Sequence, residues 1–454
     1  MVEAYGGSWR PALTSGKAAT AMDVALHVAD RLRERERIED AVVATMQQTA
    51  FPQSAHWQPS GVAQGYAGLA IMCSYLAACF PEKEWDAIGH SYLELAVRDM
   101  ESRTYLPTGI FGGLSGLAFA AWSLSQGGKR YGKLLTAIDE ALLSQTIGLA
   151  QRLTMQKKDV SVGQFDVISG LSGVGAYLLC RKDEPRITTA LNAILKGLVA
   201  VTAIEDGLPR WYTPARLLGD EKTISLYPNG NLNCGLAHGI PGPLGLLALA
   251  HISGVSCDGM EEAIARVATW LLQHRLDDQW GLNWPTAVRM EADRTVPVGL
   301  PKETTSPFEP SRTAWCYGSP GLVRALWFAG EALHNAEYQR FAIESMEAVY
   351  CRPLEVRRID SPTFCHGVAG LLQIMLRFAH DTELPQLVEA AQALSDQLLS
   401  LYDPDTLLGY YNLEPGGRHV DQPGLLDGAP GVLMVLLAAA TSVEPSWDRL
   451  FLLS

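Results

Sequence analysis

The chain has 454 residues, of which 36 are Lys or Arg and 49 are Asp or Glu, and its formal net charge at pH 7 is −13. This acidic balance argues against nucleic-acid binding, because proteins of that class neutralise phosphates with clustered Lys and Arg. The amino-terminal segment lacks the apolar region of a signal peptide, and the longest apolar run, Val432 to Ala440, is far shorter than a membrane span. We therefore expect a cytoplasmic globular protein with no nucleic-acid partner and no membrane span.

The 8 cysteines do not indicate a disulfide framework, because the chain is long and shows no export signal. A cysteine with a special role in this chain is therefore expected to be a metal ligand or a nucleophile.

One short pattern recurs along the chain. Two glycines stand three positions apart and are followed at once by an apolar run. Its copies begin at Gly65, Gly113, Gly170, Gly239, Gly318, Gly367 and Gly428. Regular self-similarity of this kind indicates a repeat architecture, in which each copy is one supersecondary unit.

Two kinds of helical segment alternate around the glycine pairs. Segments such as LLQIMLRFA and VLMVLLAAA follow the pairs and are apolar on nearly every side, which indicates helices buried all round. Segments such as EEAIARVATWLLQHRL lie between them and have one apolar and one charged face. Seven such alternations predict an inner ring of buried helices and an outer ring that faces water. The predicted fold class is all-α, an α/α toroid, in a single domain over residues 1–454.

The third and fourth intervals between glycine pairs are the longest. Their additional residues are rich in Pro, Gly, Trp and Thr and contain short alternating stretches, which are typical of strands and loops. We expect a small β-containing extension over the rim of the toroid, formed by residues 205–233 and 276–311.

Polar residues stand directly before the first glycine of several copies. Glycine permits a close backbone approach where a loop enters a crowded helix, so residues before equivalent glycines are expected to converge on one rim. In the fourth to seventh copies these residues are His238, Tyr317, His366 and Asp427, and Cys316 and Cys365 stand one position earlier in two of them. Asp427 is expected to cap the last inner helix.

Three of these rim residues form a plausible zinc set. Cys316, Cys365 and His366 supply two thiolates and one imidazole, and three protein ligands leave the fourth tetrahedral position open, as in catalytic zinc sites. The alternative is that both cysteines are small buried hydrophobic residues and that His366 caps a helix. The repeat favours the metal site, because it places equivalent loops around one axis. Cys234 is better explained as a buried structural thiol.

The strings GLAHGIPGPLGLL, SRTAWCYGSPG and FCHGVAGLL, with FDVISGLSGVGAYL upstream, resemble the lanthionine synthetase C-like family. The resemblance covers essentially the whole chain, with four motifs in the family's order. It is closest in kind to the stand-alone lantibiotic cyclases of class I, because Tyr317 follows the cysteine where relatives of other classes usually have His.

The resemblance implies an α,α-toroid that holds Zn²⁺ through Cys316, Cys365 and His366. It also implies the reaction of the family, which joins a peptide Cys thiol to dehydroalanine or dehydrobutyrine and so forms (methyl)lanthionine thioether rings. The implied partners are a dehydrated lanthipeptide precursor and, in a biosynthetic complex, a dehydratase and a transporter.

The family's active-site His, Asp and Arg match His238, Asp166 and Arg312. A His titrates near neutral pH and suits the protonation of an enolate by general-acid catalysis. Asp166 and Arg312 either orient His238 and stabilise the enolate or form a structural ion pair. Tyr317 either donates its hydroxyl group into the site or packs against it.

Three other functions compete with this interpretation. A glutathione-handling relative would keep the zinc and change the substrate. A scaffold protein with structural zinc would have a closed shell of four ligands. A glycosidase on an α/α toroid would need two rim carboxylates; only Asp166 and Asp427 are candidates, and the cysteines and histidines would stay unexplained.

Overall fold

Helices form most of the structure, a computed structural model that describes residues 8–52, 57–291 and 311–454. In chain order the helices are α1 Ser15–Arg31, α2 Arg35–Gln48, α3 Tyr66–Cys79, α4 Trp85–Glu101, α5 Leu114–Ser123, α6 Gly132–Met155, α7 Val162–Phe165, α8 Leu171–Leu179, α9 Pro185–Val201, α10 Glu221–Leu226, α11 Pro241–Ile252, α12 Met260–Gln273, α13 Ser319–Ala332, α14 Ala336–Cys351, α15 Leu354–Arg357, α16 Val368–Thr382, α17 Pro385–Ser400 and α18 Ala429–Ala440. Within the described residues, no helix combines the length and the apolar content that crossing a bilayer requires.

The strands are short. They are β1 Ile204–Glu205, β2 Leu208–Pro209, β3 Asn231–Asn233, β4 Leu276–Asp278, β5 Gly281–Asn283, β6 Ala287–Arg289, β7 Asn412–Glu414 and β8 Arg418–Val420.

Two compact units make up the chain. The first unit comprises Met1–Leu106, Phe111–Thr136 and Arg358–Asp448, and the second comprises Pro107–Ile110, Ala137–Arg357 and Arg449–Ser454. The single domain over residues 1–454 stays a prediction.

Each glycine pair stands at the start of a buried helix, as the repeat predicts. The first glycine directly precedes the first helical residue in six of the seven inner helices, and in α11 it stands one residue earlier. The inner helices are largely apolar because most of their residues are buried; all residues of α18, for example, are buried. The inner helices are α3, α5, α8, α11, α13, α16 and α18.

In the first unit, the inner helices α16, α18, α3 and α5 pack in succession. Helix α4 packs on α3, α17 packs on α16, and α1 packs on α18, so the first helix of the chain covers the last inner one. The segment just before α1 is also bonded to α18. The Trp9 indole N–H donates to the carbonyl oxygen of Ala438, and the backbone N–H of Leu13 donates to the carbonyl oxygen of Ala439, both at 2.9 Å.

In the second unit, α8, α11 and α13 pack in succession, and α9, α12 and α14 cover them. The covering helices are amphipathic. Helix α12 buries one stripe that includes Ile264, Val267 and Leu271 and exposes Glu261 and Glu262. This division is the one expected for an outer helix with one face against the inner helices and the other in water.

Short strands occur where the sequence predicts the extension. Antiparallel pairs join β1 to β2, β3 to β6 and β4 to β5, and the β3–β6 register pairs Asn231 with Arg289. Residues 292–310 of the predicted extension lie outside the described residues. A further hairpin, β7–β8, is not predicted from the sequence. Its three-residue strands are too short to show the alternation of apolar and polar residues that is typical of a strand.

Candidate active site and metal site

Backbone hydrogen bonds link the loops that lead into neighbouring inner helices of the first unit. The N–H of Cys365 donates to the carbonyl oxygen of Leu426 at 3.0 Å, Leu426 donates to Ala63 at 3.1 Å, and Ala63 donates to Phe111 at 3.1 Å. All four residues stand two positions before the first glycine of their pair. The loops therefore share one register, and the next residue in each loop occupies an equivalent place.

The loops of the second unit are linked in the same way. The N–H of Val167 donates to the carbonyl oxygen of Ala237 at 3.0 Å, and Ala237 donates to Cys316 at 3.2 Å. Ala237 and Cys316 stand two positions before their glycines, whereas Val167 stands three positions before. His238 and Tyr317, which come next, are therefore equivalent, and the third loop is offset by one residue.

Gly318 shows why these loops need glycine. Its φ is +133°, a value that side-chain-bearing residues rarely adopt, and a Cβ there would overlap the carbonyl oxygen of Arg312. The loop turns back on itself tightly enough that only glycine fits.

His238 and Asp166 are in direct contact. Nδ1 of His238 lies 2.6 Å from Oδ2 of Asp166, and the Asp166 side chain is only 2% exposed. The other carboxylate oxygen accepts the backbone N–H groups of Ser169 at 2.8 Å and Gly170 at 2.7 Å. Asp166 is thereby fixed by its own loop while it holds the imidazole.

This contact determines which ring nitrogen of His238 can react. An ionised carboxylate only accepts hydrogen bonds, so the nitrogen that faces Asp166 must be the N–H donor. Nε2 is left as the nitrogen that can take up or release a proton. The His238 side chain is 37% exposed, so it remains accessible to a substrate.

Tyr317 lies beside His238, with 6.2 Å between the two ring centroids. The Nδ2 group of Asn233 donates to the Tyr317 hydroxyl at 3.3 Å, and Oδ1 of Asn233 accepts the N–H of Gly235 at 2.9 Å. Asn233 thus connects the tyrosine to the loop that carries His238. Asn233 is not predictable from the glycine motif, because it stands in a short strand outside that motif.

Of the two roles left open for Arg312 and Asp166, the structural ion pair is not present among the described residues. The side chain of Arg312 is exposed, and no ion pair joins the two residues within the described part of the chain. Cys316 is 8% exposed and belongs to this unit. Cys234 is 1% exposed, and burial raises its thiol pKa to about 12, which favours the structural role expected for it.

A second group of polar side chains lies in the first unit. Cys365, His366 and Asp427 each offer one potential ligand atom, and these atoms all lie within 4.8 Å of one another. Nδ1 of His366 is 3.4 Å from Oδ1 of Asp427. The expectation that Asp427 caps α18 is wrong: Gly428 is the capping residue, and no side chain caps this helix. Asp427 is instead directed toward His366 of the neighbouring loop.

The carboxyl group of Asp427 is in an unusual electrostatic environment. Burial raises its pKa above the ordinary value, the His366 imidazole opposes this rise, and the nearby Glu414 adds to it. Oδ1 of Asp427 is buried and has no hydrogen-bond partner among the described residues. A polar atom in this position is costly unless a cation or a donor satisfies it.

The donor types of this group fit zinc. Thiolate, imidazole and carboxylate are its protein ligands, and with bonds of about 2.0–2.3 Å they stand roughly 3.5 Å apart around a tetrahedral ion. The potential ligand atoms of Cys365 and His366 lie within 4.8 Å of each other, which is compatible with a shared zinc ion. Because Cys316 belongs to the second unit, the predicted set of Cys316, Cys365 and His366 stays a prediction.

Comparison with known proteins gives concordant results. The family model described as lanthionine synthetase C-like protein matches residues 56–452. The chain is 25% identical over 392 residues to the nisin biosynthesis protein NisC of Lactococcus lactis subsp. lactis. The aligned residues cover 86% of this chain and 87% of that protein. The solved structure of nisin cyclase superposes on this structure with a TM-score of 0.74 at 24% sequence identity. The superposition covers 92% of this chain and 98% of the nisin cyclase chain. This likeness confirms the predicted fold class, the α/α toroid.

Proposed function

Because the chain belongs to the lanthionine synthetase C-like family, we propose that it is a lanthionine cyclase. Its substrate is a dehydrated lanthipeptide precursor, in which it joins Cys thiols to dehydroalanine or dehydrobutyrine to form (methyl)lanthionine rings. The observation that carries this proposal is the approach of Cys365 and His366, whose potential ligand atoms lie within 4.8 Å of each other and of a carboxylate oxygen of Asp427. The similarity to NisC, named for nisin biosynthesis, supports it.

The metal of the proposed enzyme is Zn²⁺, held by Cys316, Cys365 and His366. The inclusion of Cys316 rests on the sequence motif. A free Cys has a pKa of about 8.5 and is mostly protonated at neutral pH. Bound zinc would supply an open position at which a substrate thiol is deprotonated.

The remaining step for the residues of the chain is to deliver one proton to the substrate. The substrate thiolate forms a C–S bond to the β-carbon, the C=C π electrons move into an enolate, and the α-carbon must take up a proton. We assign this protonation to Nε2 of His238, because Nδ1 is held by Asp166 at 2.6 Å. The imidazolium that donates the proton is stabilised by the carboxylate beside it.

Arg312 and Tyr317 are proposed to act on the substrate. The exposed guanidinium of Arg312 favours contact with the enolate or the peptide over a structural tie. The Tyr317 hydroxyl accepts a hydrogen bond from Asn233, which holds the phenol ring beside His238, and we propose that this hydroxyl contacts the substrate. A dehydratase and a transporter as further partners, and the cytoplasmic location, stay predictions.

A thiol-counting assay tests the function. Purified protein is incubated with a synthetic peptide that contains one dehydroalanine and a downstream Cys, then alkylated with N-ethylmaleimide and weighed by mass spectrometry. Wild-type protein is expected to abolish alkylation of the peptide, and Cys365→Ala is expected not to. Cys351→Ala removes an exposed thiol outside the proposed site and serves as the matched control. Alkylation by wild type at the rate without enzyme would refute the proposal.

The same preparation separates the remaining alternatives. When glutathione is supplied in the same preparation, a glutathione-handling enzyme would add it to the peptide and increase the peptide mass, whereas cyclisation leaves that mass unchanged. A structural-zinc scaffold would change neither the mass nor the number of free thiols.

A further inference from the structure

Asp427 has no assigned role in the proposed reaction, yet it lies beside a proposed zinc ligand. Its Oδ1 atom is 3.4 Å from Nδ1 of His366, is buried, and has no hydrogen-bond partner among the described residues. The helix that follows does not use this carboxylate as a cap. Its position is therefore explained neither by local secondary structure nor by another hydrogen bond.

The loop register accounts for the approach of these two residues. The N–H of Cys365 donates to the carbonyl oxygen of Leu426 at 3.0 Å, so the residues that follow, His366 and Asp427, stand at equivalent positions of adjacent loops. This backbone contact fixes the separation of the two side chains. Asp427 is consequently placed to act on His366 before any metal binds.

We propose that Asp427 is a positioning residue for the metal: it accepts the Nδ1–H of His366 and so presents Nε2 of that imidazole to zinc. Histidine ligands of zinc commonly donate their other ring N–H to a carboxylate, which fixes the tautomer and makes the ligand more basic. The 3.4 Å separation is longer than a full hydrogen bond and is expected to shorten when the metal binds. The inference rests on the proposed function.

Direct ligation by Asp427 is disfavoured by the chemistry. With Cys316, Cys365 and His366 bound, a carboxylate ligand would complete a tetrahedral shell and occupy the position that the substrate thiol needs. Oδ1 of Asp427 is also already directed at the imidazole. The carboxylate therefore acts through His366.

The test measures zinc affinity rather than turnover. Wild type, Asp427→Ala and Asp427→Asn are titrated with zinc against a chelator of known affinity, and Asp421→Ala, which removes another half-buried carboxylate of the same unit, is the matched control. Asp427→Ala is expected to weaken zinc binding about 10- to 100-fold. Asp427→Asn is expected to lose less, because its amide oxygen still accepts the imidazole N–H.

Cobalt substitution provides a spectroscopic readout. The thiolate-to-cobalt band and the four-coordinate visible spectrum are expected to persist in Asp427→Ala, since no ligand has been removed. Zinc affinity equal to that of Asp421→Ala would overturn the inference, as would a cobalt spectrum that shows the loss of a ligand. Wild-type protein that binds no zinc, or Cys365→Ala that retains all of it, would overturn the proposed function as well, so the two failures are distinguishable.

Discussion

Nδ1 of His238 and Oδ2 of Asp166 lie 2.6 Å apart although 72 positions separate the two residues in the chain. The N–H of Val167, next to the aspartate, donates to the carbonyl oxygen of Ala237, next to the histidine, at 3.0 Å. The backbone contact and the side-chain contact therefore reinforce each other, and the imidazole is oriented by two neighbouring loops at once.

His238→Asn is expected to keep zinc and lose most of the cyclisation activity. Asparagine retains much of the shape but cannot release a proton at neutral pH, and general acid–base groups typically contribute about 10²–10⁴-fold. Thiol counting by mass spectrometry with a dehydroalanine peptide measures the rate, and metal analysis measures zinc. Wild-type rates would remove His238 from the mechanism, and loss of zinc would make it a ligand.

Substitutions at Asp166 are expected to separate its catalytic and structural roles. Asp166→Asn can still accept the N–H groups of Ser169 and Gly170, but its amide group would donate to Nδ1 of His238 and so impose the other tautomer. The rate is expected to fall at least 10-fold with little change in thermal stability. Asp166→Ala also loses the oxygen that accepts both N–H groups, which costs about 1–2 kcal/mol, as the loss of a helix cap does. Equal melting temperatures for Asp166→Asn and Asp166→Ala would contradict the separate structural role of the carboxylate.

Removal of the metal is expected to leave the chain folded. A chain of this size buries enough apolar surface to fold without a metal, whereas a structural zinc contributes its binding energy to folding. The helical circular dichroism signal should therefore persist after treatment with a strong chelator, and readdition of zinc should restore activity. Loss of the helical signal would favour a structural zinc in a scaffold protein.

Gly318→Ala is expected to destabilise the protein by about 3 kcal/mol, the size of effect seen where a residue is forced into a disallowed backbone conformation. The alanine would have to adopt φ of +133° and would overlap the carbonyl oxygen of Arg312. Gly163→Ala is the control, because nothing lies within 4 Å of a Cβ there. Thermal melting monitored by circular dichroism compares the two, and equal melting temperatures would disprove the steric argument.

Acid is expected to weaken the fold through Asp278. Burial alone would raise the pKa of this carboxyl, but hydrogen bonds from Arg352, the Trp280 N–H and Asn283 outweigh burial, and the pKa lies below its ordinary value. A carboxylate whose pKa is lower in the folded state stabilises that state above its ordinary pKa, of about 4, and this stability is lost as pH falls through the folded value.

Asp278→Asn should therefore have a melting temperature that depends less on pH between about 2 and 5. At neutral pH it should also lose about 3 kcal/mol, because the buried Arg352 charge is left unpaired. Asp277→Asn, at an exposed position, is the control. An unchanged pH dependence in Asp278→Asn would refute the assignment.

The glycine pairs made the inner helices predictable, because a repeated pattern reports on a repeated packing environment. The same pattern predicts that His238 and His366 stand at equivalent loop positions. It could not show which side chains touch across loops. The pairing of His238 with Asp166 depends on a one-residue offset in the third loop, and nothing in the spacing of the glycines reports that offset.

Other features of the structure could not be predicted from the sequence, for similar physical reasons. An aspartate one position before a helix-starting glycine suits a cap and a rim site equally well in sequence, and only the direction of its side chain shows that Asp427 faces His366. Arg312 and Asp166 carry opposite charges near two different copies of the glycine motif, but opposite charge alone does not make the two side chains meet. The hairpin β7–β8 has strands of three residues, which are too short for a period of two to be recognised.

The hydrogen bonds that join successive loops are made by the backbone, so they do not depend on which side chain each loop carries. Ala63, Leu426 and Cys365 all donate to the next loop from the same position, although one is small, one is aliphatic and one is a thiol. A single substitution can therefore add or remove a functional group without moving its neighbours. This separation gives the repeat an evolutionary freedom: duplicated loops can diverge in chemistry one residue at a time, and a protein engineer could graft a ligand or a proton donor at Gln64 or Gly112 by the same route.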